Sequence, residues 1–267
     1  MTRLSFRSVF VSDVHLGLAD CQAVYLLDFL RSMQCERLYL VGDIVDLENM
    51  AKRPFWHASH SAVVAEILAI AARGTKVTYI PGNHDAELRR LAGQRIAGIE
   101  FALDAVHVGA DGRRYRVSHG DEYDSSTATP AWLLRLGDVL QGFICATNRR
   151  CNALLRRFGL RYRPLSIMIK RRIATAWRFI QGFETRVAEH ARANGFDGHI
   201  CGHIHYAHMH DHDGVLYLND GDWVEHCTTL VEHRDGALEL LHWTEQRLTL
   251  AHRAADIPAS IALPVAA

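Results

Sequence analysis

Five short groups of Asp, His and Asn punctuate this chain, and each directly follows a run that reads as a β-strand. Asp13-Val14-His15 ends the first run at 8–12, and Gly42-Asp43 follows 38–41. Gly82-Asn83-His84-Asp85 follows 76–80, Ser118-His119-Gly120-Asp121 follows 114–118, and Gly202-His203-Ile204-His205 follows 198–201. In an extended segment, residues two apart point to the same side, so Asp13 and His15 can meet one ion. Side chains at the carboxyl ends of strands converge on the crevice where α/β proteins hold ligands. The glycines before Asp43, Asn83 and His203 permit tight turns and close backbone approach there.

Between the early strands lie helical patterns: one carries Val24, Leu26, Leu27 and Leu30 on one side, and another spans 59–73. Strands alternating with helices imply parallel pairing with both faces covered. After Ile99 the texture changes: 105–109, the turn Ala110-Asp111-Gly112 and 114–118 read as a hairpin. Strands are expected again at 198–201, 215–218, 227–232 and 237–243. The expected fold class is α/β, a two-sheet sandwich flanked by helices (αββα), with a helical insert forming a cap. One domain covers 1–267, the cap occupies 125–190, and 254–267 is a frayed tail.

The seven candidate donors are the carboxylates Asp13 and Asp43, the amide Asn83, and the imidazoles His15, His119, His203 and His205. Oxygen and nitrogen donors without thiolates suit two divalent ions, manganese first, with iron, zinc or magnesium as alternatives, and are unlike a cysteine-built structural zinc site. An isolated Asp-x-His is usually a surface turn, but five groups in one order are not explained that way. His199, His208, His210 and His212 crowd the last group and read as an exposed connection and its flanking strands, not as ligands.

Lysine plus arginine and aspartate plus glutamate number 30 each, so overall charge excludes nothing. The distribution is uneven. Segment 131–182 holds Arg135, Arg149, Arg150, Arg156, Arg157, Arg161, Arg163, Lys170, Arg171, Arg172 and Arg178 against Asp138 alone, a net of about plus ten. Leucines and aromatics recur there at helical spacing, so a basic amphipathic cap can lie on anionic lipid or clamp an anionic substrate; equally, its apolar stripe can simply pack on the core. Lys170, Arg171 and Arg172 are the expected phosphate contacts. Trp223 is a candidate substrate contact, with a core role as the alternative. Beyond Trp177 and Tyr162 the segment has no interleaved aromatics spaced for base stacking, so nucleic acid is not an expected partner. Six scattered cysteines suit reduced thiols, and neither a signal peptide nor a run of about 20 apolar residues is present, so the expected location is cytoplasmic. Nothing in the sequence speaks to oligomeric state.

The ordered motifs DxH, GD, GNHD, HGD and GHxH, spread over about residues 8–245, resemble those of the calcineurin-like metallophosphoesterases. The resemblance implies that Asp13, His15 and His205 bind one metal, that Asn83, His119 and His203 bind the other, and that Asp43 bridges them. It also implies that His84 protonates the leaving group or stabilises the transition state of phosphoester hydrolysis; Asp85 either orients His84 or serves as a strand-end hydrogen-bond acceptor. HGDEYD before the insert and NDGDWVEHCTTLVEH after GHIH resemble the branch of UDP-2,3-diacylglucosamine pyrophosphatases, which act on a nucleotide-lipid at the inner face of the bacterial cytoplasmic membrane. One position departs from that branch: its best-characterised members carry Arg after the motif Asn, where this chain has His84. The other readings are a phosphodiesterase or phosphatase for a soluble nucleotide or metabolite, and an inactive scaffold; none of the ligand positions is replaced, as an inactive scaffold would have them.

Overall fold

The computed structural model describes residues 3–124, 174–244 and 247–253. Strand β1 (Leu4–Val11) alternates as an extended chain must, with Val9 and Val11 on one face and Ser8 and Phe10 on the other. It pairs in parallel with β2 (Met33–Val41), and β2 pairs in parallel with β3 (Lys76–Ile80). Parallel neighbours need crossovers, supplied by α1 (Ala23–Ser32) and by α2 (Leu47–Lys52) with α3 (Ala58–Ala72). Short strands β4 (Arg95–Ile96) and β5 (Ile99–Phe101) follow, then the hairpin of β6 (Ala105–Val108) and β7 (Arg114–Val117). Helix α4 (Ala174–Ala193) leads to β8 (Gly198–Cys201), β9 (His208–His212), β10 (Val215–Asn219), β11 (Thr228–Glu232), β12 (Leu238–His242) and β13 (Leu248–Arg253).

These strands form two sheets. One has the order β13-β12-β11-β1-β2-β3-β5-β4 and the other β6-β7-β8-β10-β9. Phe10, Tyr39, Val41 and Ile80 of the larger sheet pack against Tyr115, Val117, Ile200 and Leu218 of the smaller, and Phe10 stacks on Tyr39 with ring centroids 4.8 Å apart. On the outer face of the larger sheet, Val9, Val11 and Leu38 meet Leu26, Phe29 and Leu30 of α1 and Val63 and Ile67 of α3. Phe183 and Val187 of α4 cover Cys201 and Tyr217 of the smaller sheet. The layers therefore run helix, sheet, sheet, helix, as the sequence pattern implies.

The structure departs from expectation in particulars. Val24 is 67% exposed, and Phe29 takes its place on the buried side of α1. Residues 208–212, read as part of an exposed connection and its flanking strands, all form edge strand β9 against β10. The expected cap at 125–190 is described only from Ala174, where α4 begins; 125–173, including Lys170, Arg171 and Arg172, lie outside the described residues, as does the expected tail at 254–267. No disulfide joins cysteines among the described residues, and no helix among them is long and apolar enough to cross a membrane.

Candidate metal centre

Strands β1, β2, β3, β7 and β8 point their carboxyl ends to one edge of the sandwich, and the five sequence groups emerge there. The backbone is forced into unusual shapes to bring them together. Asp13, His15, Asp43, His203 and His205 have φ of 49°, 52°, 54°, 71° and 49°, and they make up five of the nine non-glycine residues with positive φ among those described. L-residues adopt that region at a cost, and such residues collect at functional sites. The strained turns are stitched to each other: Asp13 N–H donates to Gly42 O (3.0 Å), His15 N–H to Asp43 O (2.8 Å) and His203 N–H to Asp13 Oδ2 (2.8 Å). Glycine is required where side chains pass close to backbone: a Cβ on Gly82 would collide with Asp43 Oδ1, and one on Gly202 with Asp13 Oδ2.

Asp13, His15, Asp43 and His119 are all buried, and His205 is 21% exposed at the side chain. His205 Nε2 lies 3.1 Å from Asp13 Oδ1, His119 Nε2 3.2 Å from Asp43 Oδ2, and His15 Nε2 3.8 Å from Asp43 Oδ2. Despite these short distances, Asp13 Oδ1, His15 Nε2 and His119 Nε2 are buried without an aligned hydrogen bond. Orphaned buried carboxylate and imidazole atoms are costly unless something else satisfies them, and a cation among them does so. Asp13, His15 and His205 form one group of donors within 4.8 Å of one another, and Asp13, Asp43 and His119 form a second. The donor set thus fits a pair of divalent ions.

Neighbouring groups set the direction in which each imidazole presents its lone pair. His119 Nδ1 faces the carbonyl of Val41 at 2.9 Å, so Nδ1 carries the proton and Nε2 is left for a ligand. His15 Nδ1 donates in the same way to Asp46 Oδ2 at 3.0 Å. Burial alone would lower the pKa of His119, but Asp43 and Asp13 outweigh it and hold the imidazole well above its ordinary value. Burial would also raise Asp43, and its histidine neighbours His119, His15 and His84 instead hold it below the usual carboxylate range.

His203 sits beside this group, its ring 5.1 Å from that of His119, with Nε2 3.1 Å from Asp124 Oδ2. Asn83 is exposed in the turn after β3, between Gly82, whose N–H donates to Asp85 Oδ1 (2.6 Å), and His84, whose N–H donates to Asp43 Oδ1 (2.8 Å). The His84 side chain, 33% exposed, stands at the mouth with its ring 4.7 Å from that of His15.

For Asp85 and Trp223 the sequence leaves two readings open, and the structure shows the second of each, an acceptor and a core side chain, in place of the catalytic and substrate-contact roles. Asp85 makes no hydrogen bond to the His84 ring: fully buried, it accepts N–H bonds from Gly82 and Ile44 (2.9 Å) and the hydroxyl of Tyr79 (2.5 Å), which clamps the β3 turn to the β2 turn. Trp223 is fully buried against Phe29, ring centroids 5.7 Å apart, because the turn after β10 folds inward where Trp223 N–H donates to Asp13 O at 3.0 Å. It offers no face to a substrate.

The residue that does reach His84 is Asp46, which was not singled out from the sequence. Its Oδ1 lies 3.1 Å from His84 Nδ1 and its Oδ2 3.0 Å from His15 Nδ1, and Oδ1 also accepts from Asn49 N–H at the start of α2. Asp46, His15 and His84 form a third close group of donors. Burial would raise the Asp46 carboxyl, but the two imidazoles hold it below its ordinary value. For His84, burial works downward, while the hydrogen bond to Asp46 and the charge of Asp43 prevail and raise its pKa to about 9.

A UDP-2,3-diacylglucosamine hydrolase of Xanthomonas campestris is 32% identical to this chain over 117 residues, which cover 43% of this chain and 46% of the relative. One from Aeromonas salmonicida is 30% identical over 118 residues, covering 43% and 45%. The matches thus span less than half the length of these curated relatives. Among solved structures, Yfce, a phosphoesterase from E. coli, aligns over 93% of this chain and 99% of its own, with 14% identity and a TM-score of 0.47. The family model described as calcineurin-like phosphoesterase matches residues 6–207, a span that takes in all five groups of candidate ligands at the strand ends. The chain belongs to the calcineurin-like phosphoesterase family.

Proposed function

We propose that this chain is a dimetal hydrolase that cleaves the pyrophosphate bond of a nucleotide-lipid of the UDP-2,3-diacylglucosamine type. The observation that carries the hydrolytic part is the set of buried donor atoms of Asp13, His15 and His119 that lack hydrogen bonds while facing one another across the strand ends. In this reading Asp13, His15 and His205 hold one ion, Asn83, His119 and His203 the other, and Asp43 faces both. When bound, two divalent ions, manganese first, supply Lewis-acid charge to phosphoryl oxygens and a lowered pKa to water at the site.

The chain's own groups do the rest. Asp46 fixes His84 through Nδ1, which leaves Nε2 to face the substrate from the mouth. The carboxylates Asp46 and Asp43 hold the His84 pKa up, at about 9 for the chain by itself, so that at neutral pH the imidazole carries the proton a general acid donates; bound divalent ions would lower that value. His84 then gives its proton to the departing phosphate oxygen. Lys170, Arg171 and Arg172 are assigned to the diphosphate, and the basic segment 131–182 to contact with an anionic membrane surface. The lipid part of the substrate rests on the local similarity to UDP-2,3-diacylglucosamine hydrolases.

A second reading, hydrolysis of a soluble nucleotide ester, is favoured by His84 standing where the best-characterised nucleotide-lipid enzymes carry Arg. Purified protein with manganese and UDP-2,3-diacylglucosamine in detergent micelles is expected to release UMP, followed by chromatography. Turnover of soluble phosphodiesters without UMP release would leave only the second reading. Inactivity on both, with every divalent metal tried, would remove the hydrolase assignment.

A further inference from the structure

His15 and His119 are both held by Nδ1, to Asp46 Oδ2 at 3.0 Å and to the carbonyl of Val41 at 2.9 Å. Both turn Nε2 toward Asp43 Oδ2, at 3.8 and 3.2 Å. His203 is held the other way round, with Nε2 3.1 Å from Asp124 Oδ2. A neutral imidazole that faces a carboxylate carries its proton on the nitrogen turned to it, which leaves the lone pair on the other nitrogen. In His203 that other nitrogen is Nδ1, the one nearer the main chain. The main chain is also where this residue meets the centre: His203 N–H donates to Asp13 Oδ2 at 2.8 Å, and a Cβ on Gly202 would collide with the same oxygen. The His203 ring lies 5.1 Å from that of His119.

Asp124 is brought to this place by a short turn, Asp121–Tyr123, that is fixed from several directions. Asp121 Oδ2 accepts from Arg89 Nη2 at 2.7 Å, beyond the β3 turn. Glu122 accepts from Ser118 Oγ and, at 3.1 Å, from the N–H of Gly120. The Tyr123 carbonyl accepts from Arg186 Nε of α4 at 3.0 Å, and Asp124 N–H closes the turn on Asp121 O at 3.1 Å. The Asp124 side chain itself is 33% exposed, and a carboxylate with that much access to water gains little stability from a single surface contact. A fixed main chain that delivers it to one nitrogen of a candidate ligand matches the way proteins orient metal-bound histidines.

We infer that Asp124 is a positioning residue of the metal centre: it accepts a hydrogen bond from His203 Nε2–H and so commits Nδ1, the nitrogen opposite to the one His15 and His119 present, to the ion. The inference rests on the reading of His203 as a ligand of the dimetal centre, and adds which nitrogen binds and what selects it. Asp46 does the corresponding work for His15 from the start of α2. Through Arg186 and Tyr123, helix α4 supports the same contact.

The test combines manganese binding, by competition with a chromophoric chelator, with the protonation pattern of His203 in ¹⁵N spectra of histidine-labelled, metal-free protein above neutral pH; His203→Ala identifies the signal. Wild type is expected to bind two manganese ions and to carry the His203 proton on Nε2. Asp124→Ala, a change at an exposed position, is expected to weaken one of the two ions by about 10- to 100-fold, to leave the other as it was, and to populate both tautomers of His203. Asp124→Asn keeps an acceptor oxygen without the charge, so its affinity is expected to fall between those of wild type and Asp124→Ala. If wild type binds two ions but Asp124→Ala changes neither the affinities nor the tautomer, the positioning role is overturned. Outright loss of one ion from Asp124→Asn also overturns it, since Asp124 would then be a ligand itself. Wild type that binds fewer than two ions removes the dimetal reading, and this inference with it.

Discussion

Glu232 and Asp43 are both buried carboxylates that face histidines, yet their surroundings are finished to different degrees. Glu232, at the end of β11, receives Arg7 Nη1 at 2.7 and 2.8 Å, Ser8 Oγ at 2.8 Å, His107 Nε2 at 3.0 Å and the N–H of Ala110 at 2.8 Å. Donors from β1 and from the β6–β7 hairpin therefore meet on one side chain, and the two sheets are joined through it. Around Asp43 the nearest imidazole nitrogens stand farther off, at 3.2 and 3.8 Å, and Asp13 Oδ1, His15 Nε2 and His119 Nε2 have no aligned hydrogen bond. A closed polar network contributes to stability and uniqueness; an open one is tolerated where a ligand completes it. The contrast separates a carboxylate that holds the fold together from one whose surroundings are left open to a ligand, although both are buried and both face imidazole.

The hardest test of that contrast is to remove each carboxylate in turn. Asp43→Ala is expected to abolish phosphoester turnover, by about 10³-fold or more, since it removes the carboxylate between the two donor groups. Without metal, the variant is expected to lose less stability than Glu232→Ala does, because the histidines around Asp43 favour its charged form but aligned hydrogen bonds do not close the network there. Glu232→Ala is expected to do the opposite: kcat close to wild type, with stability reduced by about 3 kcal/mol in urea titrations, because Arg7, Ser8, His107 and Ala110 lose their acceptor together. Comparable stability losses in both variants would erase the distinction.

His84→Ala sharpens the open side. A group that protonates the leaving oxygen matters most when that oxygen leaves badly, so kcat is expected to fall about 10²-fold or more on an alkyl phosphodiester and far less on a nitrophenyl ester. Equal losses on both would move His84 from proton transfer to binding. Asp46→Asn is expected to reproduce the pattern at smaller amplitude, since Asp46 acts only through His84 and His15.

The same contrast separates what could be read in the residues from what could not. The donors of the open centre announce themselves, because Asp13, Asp43, Asn83, His119 and His203 each follow a β-like run, most with a glycine alongside, and that local pattern survives in one dimension. Asp46 does not, because locally it is an ordinary helix cap before Leu47, and its contacts with His15 and His84 exist only once β1, β2 and β3 are aligned. Glu232 is less legible still: its partners are 225, 224, 125 and 122 residues away, and they meet through strand register. Strand β9 was hidden for a different reason. Its His-Met-His-Asp-His run lacks β-branched residues, and edge pairing to β10 overrides propensity. The layered fold was legible because alternation in β1 and helical periodicity in α1 are properties of short windows.

Acid titration probes the closed cluster most finely. Burial would raise Glu232, but the hydrogen bonds from His107, Ala110 and Arg7 lower it from 4.5 to about 2. As pH falls, the unfolded chain therefore takes up its proton at this position before the folded chain does. The stabilisation from Glu232 is complete above about pH 4.5 and is lost progressively as pH falls toward about 2. Other buried carboxylates titrate in the same range, so the quantity to measure is the difference in unfolding free energy between wild type and Glu232→Gln across pH 7 to 3. That difference is expected to be constant from neutral pH to about 5 and to narrow below it. A gap that stays constant through pH 3 would mean that the charge on Glu232 contributes nothing and that only the shape of the network matters.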